Sequence, residues 1–498
     1  MKTALLLYPN QLYGVEHLPR DVDEVVMVEE PLLFGTDEQY KFYMHKQKLV
    51  FLRAAMRRYV EEELWPAGFQ VDYIEFHRLG SSEDIVEKLK EFDTVQVFEF
   101  TDDILSRRLV SALNAHPEAP QLSVLMSPNF FLNAQESDEF FKDPKSSQFS
   151  KFYQWQRERF NILIDQETYK PLEGKWDFKP ATRKRVPKTT ELVSFQIYGS
   201  NEFVTEAVAY VDKYFPENPG SVSDFPWPTA RAEARKWLAD FVDTRLENYA
   251  VYHEAIDGHA PWLFHSAVAP MLNCGLLEPA EVVNAAIEAH HKQNGDIENV
   301  EAFVRNILGW REFTRGVYRK RQVVLRTANS FQHDRKMTAD WYRGTTGIPP
   351  VDDIIKKILT RAYTHEVERV MVLGNIMFLC EFHPDEVYRW FMEMFIDAHD
   401  WSVVPRVYGV SQGAAFTQLG TAPAVTSSNF ILNMSHYEKG VWSDIWDGLY
   451  WRAVEKYQDK FAAHPDFKMA VTQLGKISPN RRRIIGYRAE DFLKEKTE

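Results

Sequence analysis

The chain has 498 residues and a formal charge of −13, which argues against a surface coated with nucleic acid but leaves room for a local basic patch. One core cannot serve this length, so two or three domains are expected. Two cysteines, Cys274 and Cys380, exclude a disulfide framework and a four-thiolate cluster and fit a reducing compartment.

The opening stretch, MKTALLLYPN, has a short apolar run ended by Pro9. It is too short for a secretion signal and reads as a first strand. No apolar stretch approaches the roughly 20 residues of a membrane span, so a cytoplasmic protein without membrane contact is expected. Residues 1–133 alternate β-rich runs with helical patterns. The runs are Ala4–Tyr8, Val25–Glu29, Val71–Phe76, Thr94–Phe100 and Leu122–Met126; the helical patterns are Tyr40–Leu64, Ser82–Phe92 and Asp102–Ala115. That alternation predicts an α/β domain with a doubly wound parallel sheet and right-handed crossovers. Ligands of such sheets bind beyond the C-terminal strand ends, here around Tyr8–Leu12 and Glu29–Gly35. Neither end carries GxGxxG, and no P-loop or HExxH motif appears in the chain.

Residues 134–220 read as a connector. Phe149–Ile164 is helical, and Gly174–Pro187 is a Pro-punctuated basic loop with Lys179, Arg183, Lys184 and Arg185. Such a loop is either solvated or set against phosphates. Residues 221–498 read as a large all-α domain. Its predicted helices are Thr229–Tyr249, Pro279–Asn294, Val300–Arg321, Val351–Tyr363, His365–Cys380, Pro384–Asp400, Ser443–Phe461 and Asp466–Gly475.

The Val300–Arg321 helix, VEAFVRNILGWREFTRGVYRKR, carries its apolar residues at three- and four-residue steps. Gly309 interrupts it at a cost of about 1 kcal/mol against Ala, so something is expected to pack against the backbone there. Trp310, Arg311, Glu312 and Arg315 fit either a buried ion pair or the wall of a ligand site. Ser266 and Asn273 are short polar residues in the apolar frame PWLFHSAVAPMLNCGLL; they cap a helix or hold ligand oxygens near its N-terminus. His365 and Arg369 share a helix face, and Asn375 follows them. His365 and Glu366 are adjacent, face different ways and make no metal pair, so no metal site is expected. Trp341, Trp390 and Trp401 are core aromatics or a path for electron hopping.

Several longer segments together resemble the photolyase/cryptochrome family, in particular the prokaryotic (6-4) photolyase group of deoxyribodipyrimidine photolyase-related proteins. They are YPNQL (8–12), EEPLLFG (29–35), HKQKLVFLRAAMR (45–57), GKWDF (174–178), LFHSAVAPMLNCGLL (263–277), VEAFVRNILGWREFTRGVY (300–318), GTTGIPP (344–350), ERVMVLGN (368–375), HPDEVYRWFMEMFIDAHDW (383–401) and SSNFILNMS (427–435). The resemblance implies an all-α C-terminal domain that binds FAD and an N-terminal domain that holds an antenna chromophore of lumazine type. It implies light-driven electron transfer from reduced flavin to a (6-4) lesion flipped out of UV-damaged DNA, by a protein expected to be a monomer. FAD contacts are expected from Ser266, Asn273, Trp310, Arg311, Arg315, Arg369 and Asn375. Antenna contacts are expected from Asn10, Gln11, Glu30, Leu33 and Phe34. His365, Glu366, Trp390 and Tyr342 are expected to serve catalysis and electron transfer.

The departures from the group's pattern cluster. Cysteine positions that ligate an iron–sulfur cluster hold Pro350, Glu438 and Val441 here, so no cluster is expected. The group's His-His is His365-Glu366, which puts a carboxyl with a reference pKa of about 4.3 where an imidazole near 6.5 stands. Its Pro-Asn is Pro405-Arg406, its Ser-Gln-Phe-Ala-Asp-Gly-Gly is residues 411–417 without the Asp, its Lys-Pro-Tyr is Ala422-Pro423-Ala424, and Asn306 replaces a Gln. Two functions follow as expectations: a (6-4) photolyase with altered chemistry, or a cryptochrome-like light sensor that has lost repair. A plain DNA-binding protein using Arg315–Arg321 and Arg481–Arg483 is a third.

Overall fold

The computed structural model describes residues 2–142, 148–178, 183–193, 196–293, 295–420 and 422–498. Expected features at Lys179 and Asn294 lie outside these described residues. Strands β1 (Thr3–Leu7), β2 (Glu24–Val28), β3 (Val71–Ile74), β4 (Thr94–Phe98) and β5 (Gln121–Leu125) form one parallel sheet in the order β3-β2-β1-β4-β5. Successive side chains leave opposite faces of a strand. Accordingly Leu5, Leu7, Val25 and Met27 pack with the Lys46–Tyr59 helix on one side. Ala4, Leu6, Val26, Val28, Val95 and Val97 pack with Leu105, Leu109 and Leu113 of the Asp103–Ala115 helix on the other. The strand order reverses between β1 and β4, so the ligand crevice of this sheet opens at their C-terminal ends.

A buried guanidinium ties the sheet to what surrounds it. Arg53, on the Lys46–Tyr59 helix, lies 2.6 Å from Glu29, 2.8 Å from Glu75 and 2.7 Å from Glu206. Glu29 also accepts from the hydroxyls of Tyr73 and Tyr210, each at 2.8 Å. This network joins β2, β3 and a Glu202–Tyr214 helix, inside the expected connector, that the hydrophobic pattern did not announce.

The region that follows is helical, as expected, with shifted ends. The first predicted helix begins at Lys46 and not Tyr40, because His45 Nδ1 accepts from the Gln47 amide at 3.1 Å and caps it. Pro384–Asp400 divides into Pro384–Met394 and Asp400–Val404, with Phe395 extended between them. Val300–Arg321 is the middle of a longer continuous rod: Ile297–Val304, a π-helical Arg305–Arg311, then Glu312–Thr327. No helix among the described residues is long and apolar enough to cross a membrane.

Gly309 sits in the π-helical turn. A Cβ there would lie 2.9 Å from Tyr153 and 3.1 Å from Phe149, both on the Phe149–Phe160 helix. Close packing was the expectation; the neighbour is another helix. Gly309→Val is therefore predicted to overpack this crossing and cost about 1–3 kcal/mol. A thermal melt that shows no lowering of the midpoint would contradict the packing.

Candidate active-site cavity and its flanking hollow

Three π-helical stretches, Arg305–Arg311, Glu368–Gly374 and Pro405–Ser411, converge on one cavity of about 370 Å³. The extra residue in a π turn widens a helix locally, and such turns recur at functional sites. The fourth wall is the loop before the Ala269–Cys274 helix, where Leu263 and Ala267 hold left-handed φ of 47° and 50°. Strain of that kind costs roughly 1–3 kcal/mol and persists where surroundings enforce it. The cavity is of ligand size.

Its lining combines cations with flat apolar surfaces. Arg369 Nη1 lies 2.9 Å from Asp397 Oδ1, Nε donates to the Thr364 carbonyl at 2.7 Å, and the guanidinium covers the Phe395 ring at 4.1 Å. Asn273 Nδ2 donates to the Asp397 carbonyl at 2.9 Å. Arg311 covers Phe130 at 4.2 Å and Trp401 at 5.2 Å, and burial lowers its pKa to about 10. Its Nε has no partner among the described residues, and neither does Nε2 of His265 on the opposite wall. Two unpartnered buried nitrogens and a set of aromatic walls suit an anionic ligand with a flat ring. FAD fits that description.

Of the residues expected to touch FAD, Ser266, Asn273, Arg311 and Arg369 line the cavity. Three do not. Trp310 turns outward, about a third exposed, and stacks on Phe149 with ring centroids 3.7 Å apart. Arg315 is spent on the Leu132 carbonyl at 2.6 Å and Glu99 at 3.1 Å, joining the helical region to the α/β region. Asn375 points into the core and pins Thr426 through its backbone carbonyl and hydroxyl at 3.1 and 3.0 Å. Trp310 lies within a π-helical stretch, and Arg315 and Asn375 lie on the α-helices that follow one.

Glu366 is on the cavity wall, half-exposed and ion-paired with Arg406. His365 lies behind the wall, fully buried, stacked on His265 at 4.1 Å and 3.4 Å from Glu368. Glu368 is held down to a pKa of about 2: burial opposes ionisation but is outweighed by His365 and by Lys357, 2.6 Å away. Trp390 is buried and donates to the Trp341 carbonyl at 3.0 Å; its ring lies 5.8 Å from Phe395, which lines the cavity. Tyr342 donates to Glu393 at 2.8 Å. Asp397, Trp401, His265 and Tyr249 line the cavity and were not singled out there by helical spacing. Asp397 and Trp401 lie within the segment 383–401 already quoted, but their inward direction comes from the break at Phe395.

A second hollow of about 460 Å³ adjoins the first, and His253 and Asn306 line both. Phe149, Tyr153, Trp176 and Trp310 give it aromatic faces; Lys151, Arg183 and Arg305 give it positive charge. Arg183 and Arg305 are themselves paired with Glu254 and Glu301, and Asp177 also lines the hollow; in the Arg481–Arg483 cluster, Arg481 pairs with Asp444 and Asp447 and Arg482 with Glu455.

At the switch point of the sheet, Asn10 Nδ2 donates to Thr101 Oγ1 at 3.0 Å and Gln11 Nε2 to the Phe98 carbonyl at 3.3 Å. Glu30 is buried there and accepts from Ser82 and Leu32; its Oε2, like Tyr8 Oη and Asn10 Oδ1, has no partner among the described residues. Leu33 is buried, and Phe34 stacks on Phe76 at 6.0 Å in the core.

A parallel sheet is thus joined to a helical region that holds a ligand-sized cavity lined by cations and flat apolar surfaces. Residues 5–227 match the family model described as deoxyribodipyrimidine photo-lyase-related protein, and residues 303–439 match the FAD binding domain of DNA photolyase. The chain is 27% identical over 473 residues to a (6-4) photolyase of Agrobacterium fabrum, covering 91% of each chain. Its fold is similar to that of a class III photolyase from Agrobacterium tumefaciens (TM-score 0.55, 16% identity, 99% and 98% of the two chains). It is also similar to that of a Synechocystis cryptochrome (TM-score 0.57, 14% identity, the same coverage). The chain belongs to the photolyase/cryptochrome family.

Burial, with the nearby Asp102 and Asp37, raises the Glu30 carboxyl to about 7. The folded state then holds a proton that the unfolded chain releases near pH 4.5, so this residue's contribution to stability falls as pH rises from there to about 7. Between pH 5.5 and 8 the loss is about 2 kcal/mol. Glu30→Gln is predicted to lose correspondingly less stability over that interval. Identical pH profiles of the melting temperature would contradict the placement of Glu30.

Proposed function

We propose that the chain binds FAD in the cavity and reverses (6-4) pyrimidine–pyrimidone photoproducts in UV-damaged DNA when illuminated. The observation that carries this reading is the adjacency of the two hollows, which share His253 and Asn306 as lining residues. A cavity suited to an anionic flat cofactor lies beside an aromatic recess with basic side chains, of the kind that stacks a flipped base and holds its phosphates. Bound reduced FAD supplies the light-driven electron. Arg311, Arg369, Ser266 and Asn273 hold it, the aromatic walls exclude water, and Arg183, Arg305 and Lys151 take the DNA backbone. Trp390, Phe395 and the Trp341–Tyr342 segment form an aromatic route from the cavity wall.

A second, lumazine-type chromophore sits at the switch point, where Glu30, Tyr8 and Asn10 have unpartnered polar atoms. An iron–sulfur cluster does not fit. Its positions hold Pro350, Glu438 and Val441, and Cys274 and Cys380 are separately buried thiols. The protein works as a cytoplasmic monomer. One observation favours a light sensor as the second reading: Glu366 and Arg406, both unlike the group's pattern, bond to each other at the cavity wall.

The chain loaded with FAD is predicted to restore a (6-4)-containing oligonucleotide in light and not in the dark. Arg369→Ala is predicted to weaken FAD binding by tenfold or more, since removing one partner of a buried charge pair costs about 2–5 kcal/mol. Tight FAD binding without any lesion loss in light would move the assignment to the sensor.

A further inference from the structure

Tyr249 is buried on the cavity wall, next to Asn306 and His253, which also line the outer hollow. Its ring is gripped by His253, stacked at 5.8 Å, and by the edges of His265, Phe241 and Phe303 at 5.8, 6.2 and 5.8 Å. Its hydroxyl has one protein neighbour, Asn306 Nδ2, at 2.8 Å among the described residues. The same Nδ2 lies 3.0 Å from the Ala302 carbonyl. A carbonyl only accepts, so that contact fixes which end of the Asn306 amide carries the hydrogens. Asn306 therefore donates to Tyr249, the phenol oxygen is the acceptor, and the phenol's own hydrogen has no acceptor among the described residues.

We propose that the Tyr249 hydroxyl, aimed by Asn306, donates a hydrogen bond to a ring oxygen of the flipped pyrimidine lesion where it reaches past Asn306 and His253 to the edge of the FAD cavity. This rests on the reading of the cavity as a lesion-repair site. Burial raises the phenol to about 12, so it keeps its hydrogen through the neutral range; Arg305 and Asn306 pull the other way and Glu366 reinforces the shift. Glu366 itself accepts from Arg406 and presents an acceptor to the cavity, not a donor. A rigid donor aimed at an oxygen that gains negative charge stabilises that charge more than the ground state, and such donors account for roughly 10²–10³ in rate.

Tyr249→Phe deletes one oxygen and keeps the ring contacts. The expected result is an unchanged melting temperature, FAD uptake and flavin spectrum, with repair yield per absorbed photon lower by roughly tenfold or more. Asn306→Asp places an acceptor against the phenol, turns its hydrogen away from the cavity and is expected to lower the yield likewise. A third readout needs no activity. The Tyr249 C–O stretch, isolated as an infrared difference between wild-type and Tyr249→Phe chains without FAD, shifts when lesion-bearing DNA is added and not with undamaged DNA. Undiminished repair in both variants overturns the proposal, as does a flavin spectrum that changes in Tyr249→Phe while the infrared band ignores the lesion. If the wild-type chain repairs nothing, the repair reading falls and the infrared band decides the donor: a lesion-dependent shift sustains it and a silent band overturns it.

Discussion

The rod from Ile297 to Thr327 is fixed to the α/β region by three charged residues within two turns, and the site depends on that attachment. Arg311 donates to the Asn129 carbonyl at 2.5 Å and to its side-chain oxygen at 3.1 Å. Glu312 accepts from the amide of Phe131 at 3.0 Å, and Arg315 reaches the Leu132 carbonyl and Glu99. These groups are nearly fully buried. Burying such charges costs several kcal/mol each unless every one is matched, so the 129–132 segment and the rod hold each other in a single register. Arg311 then faces two ways at once: it anchors the two regions and lines the cavity.

The same rod explains how the cavity is made. Its π turn at Arg305–Arg311 packs Gly309 against the Phe149–Phe160 helix, presents Asn306 and Arg311 inward, and sends Trp310 to the flanking hollow. The turns at Glu368–Gly374 and Pro405–Ser411 do the equivalent for Arg369 and for Arg406. Cofactor cavity and outer hollow are thus two sides of one helical irregularity. The changes at 306, 366 and 406 all fall on this seam, and two of them, Glu366 and Arg406, bond to each other. The scaffold is that of the family, and what is particular to this chain is the polar lining between its two hollows.

Much of this was legible from residue order. Five β-rich runs at their places gave a parallel sheet, because Val and Leu runs separated by helical patterns have few other solutions. Ser266, Asn273, Arg311 and Arg369, expected at the flavin, fall on the cavity lining. Trp310, Arg315 and Asn375, expected there too, do not, and each lies in or after a π-helical stretch, which leaves no mark in composition. The Glu202–Tyr214 helix was hidden by Val204, Thr205, Val208 and Val211, whose β-branching blurs a helical period. Pro479–Lys496 was hidden for the opposite reason: it buries only Ile485, Ala489, Phe492 and Leu493 and shows little apolar stripe. The partnership of Glu366 with Arg406 spans 40 residues of sequence and becomes visible only when two π turns are brought side by side.

A flavin site at the convergence of the three π turns shows itself in the visible absorption spectrum of the purified chain after addition of FAD and removal of the excess. The expected spectrum has structured flavin bands at one FAD per chain, whose fine structure is lost when the protein is unfolded and the FAD released. A colourless protein that retains its fold and takes up no FAD would contradict it.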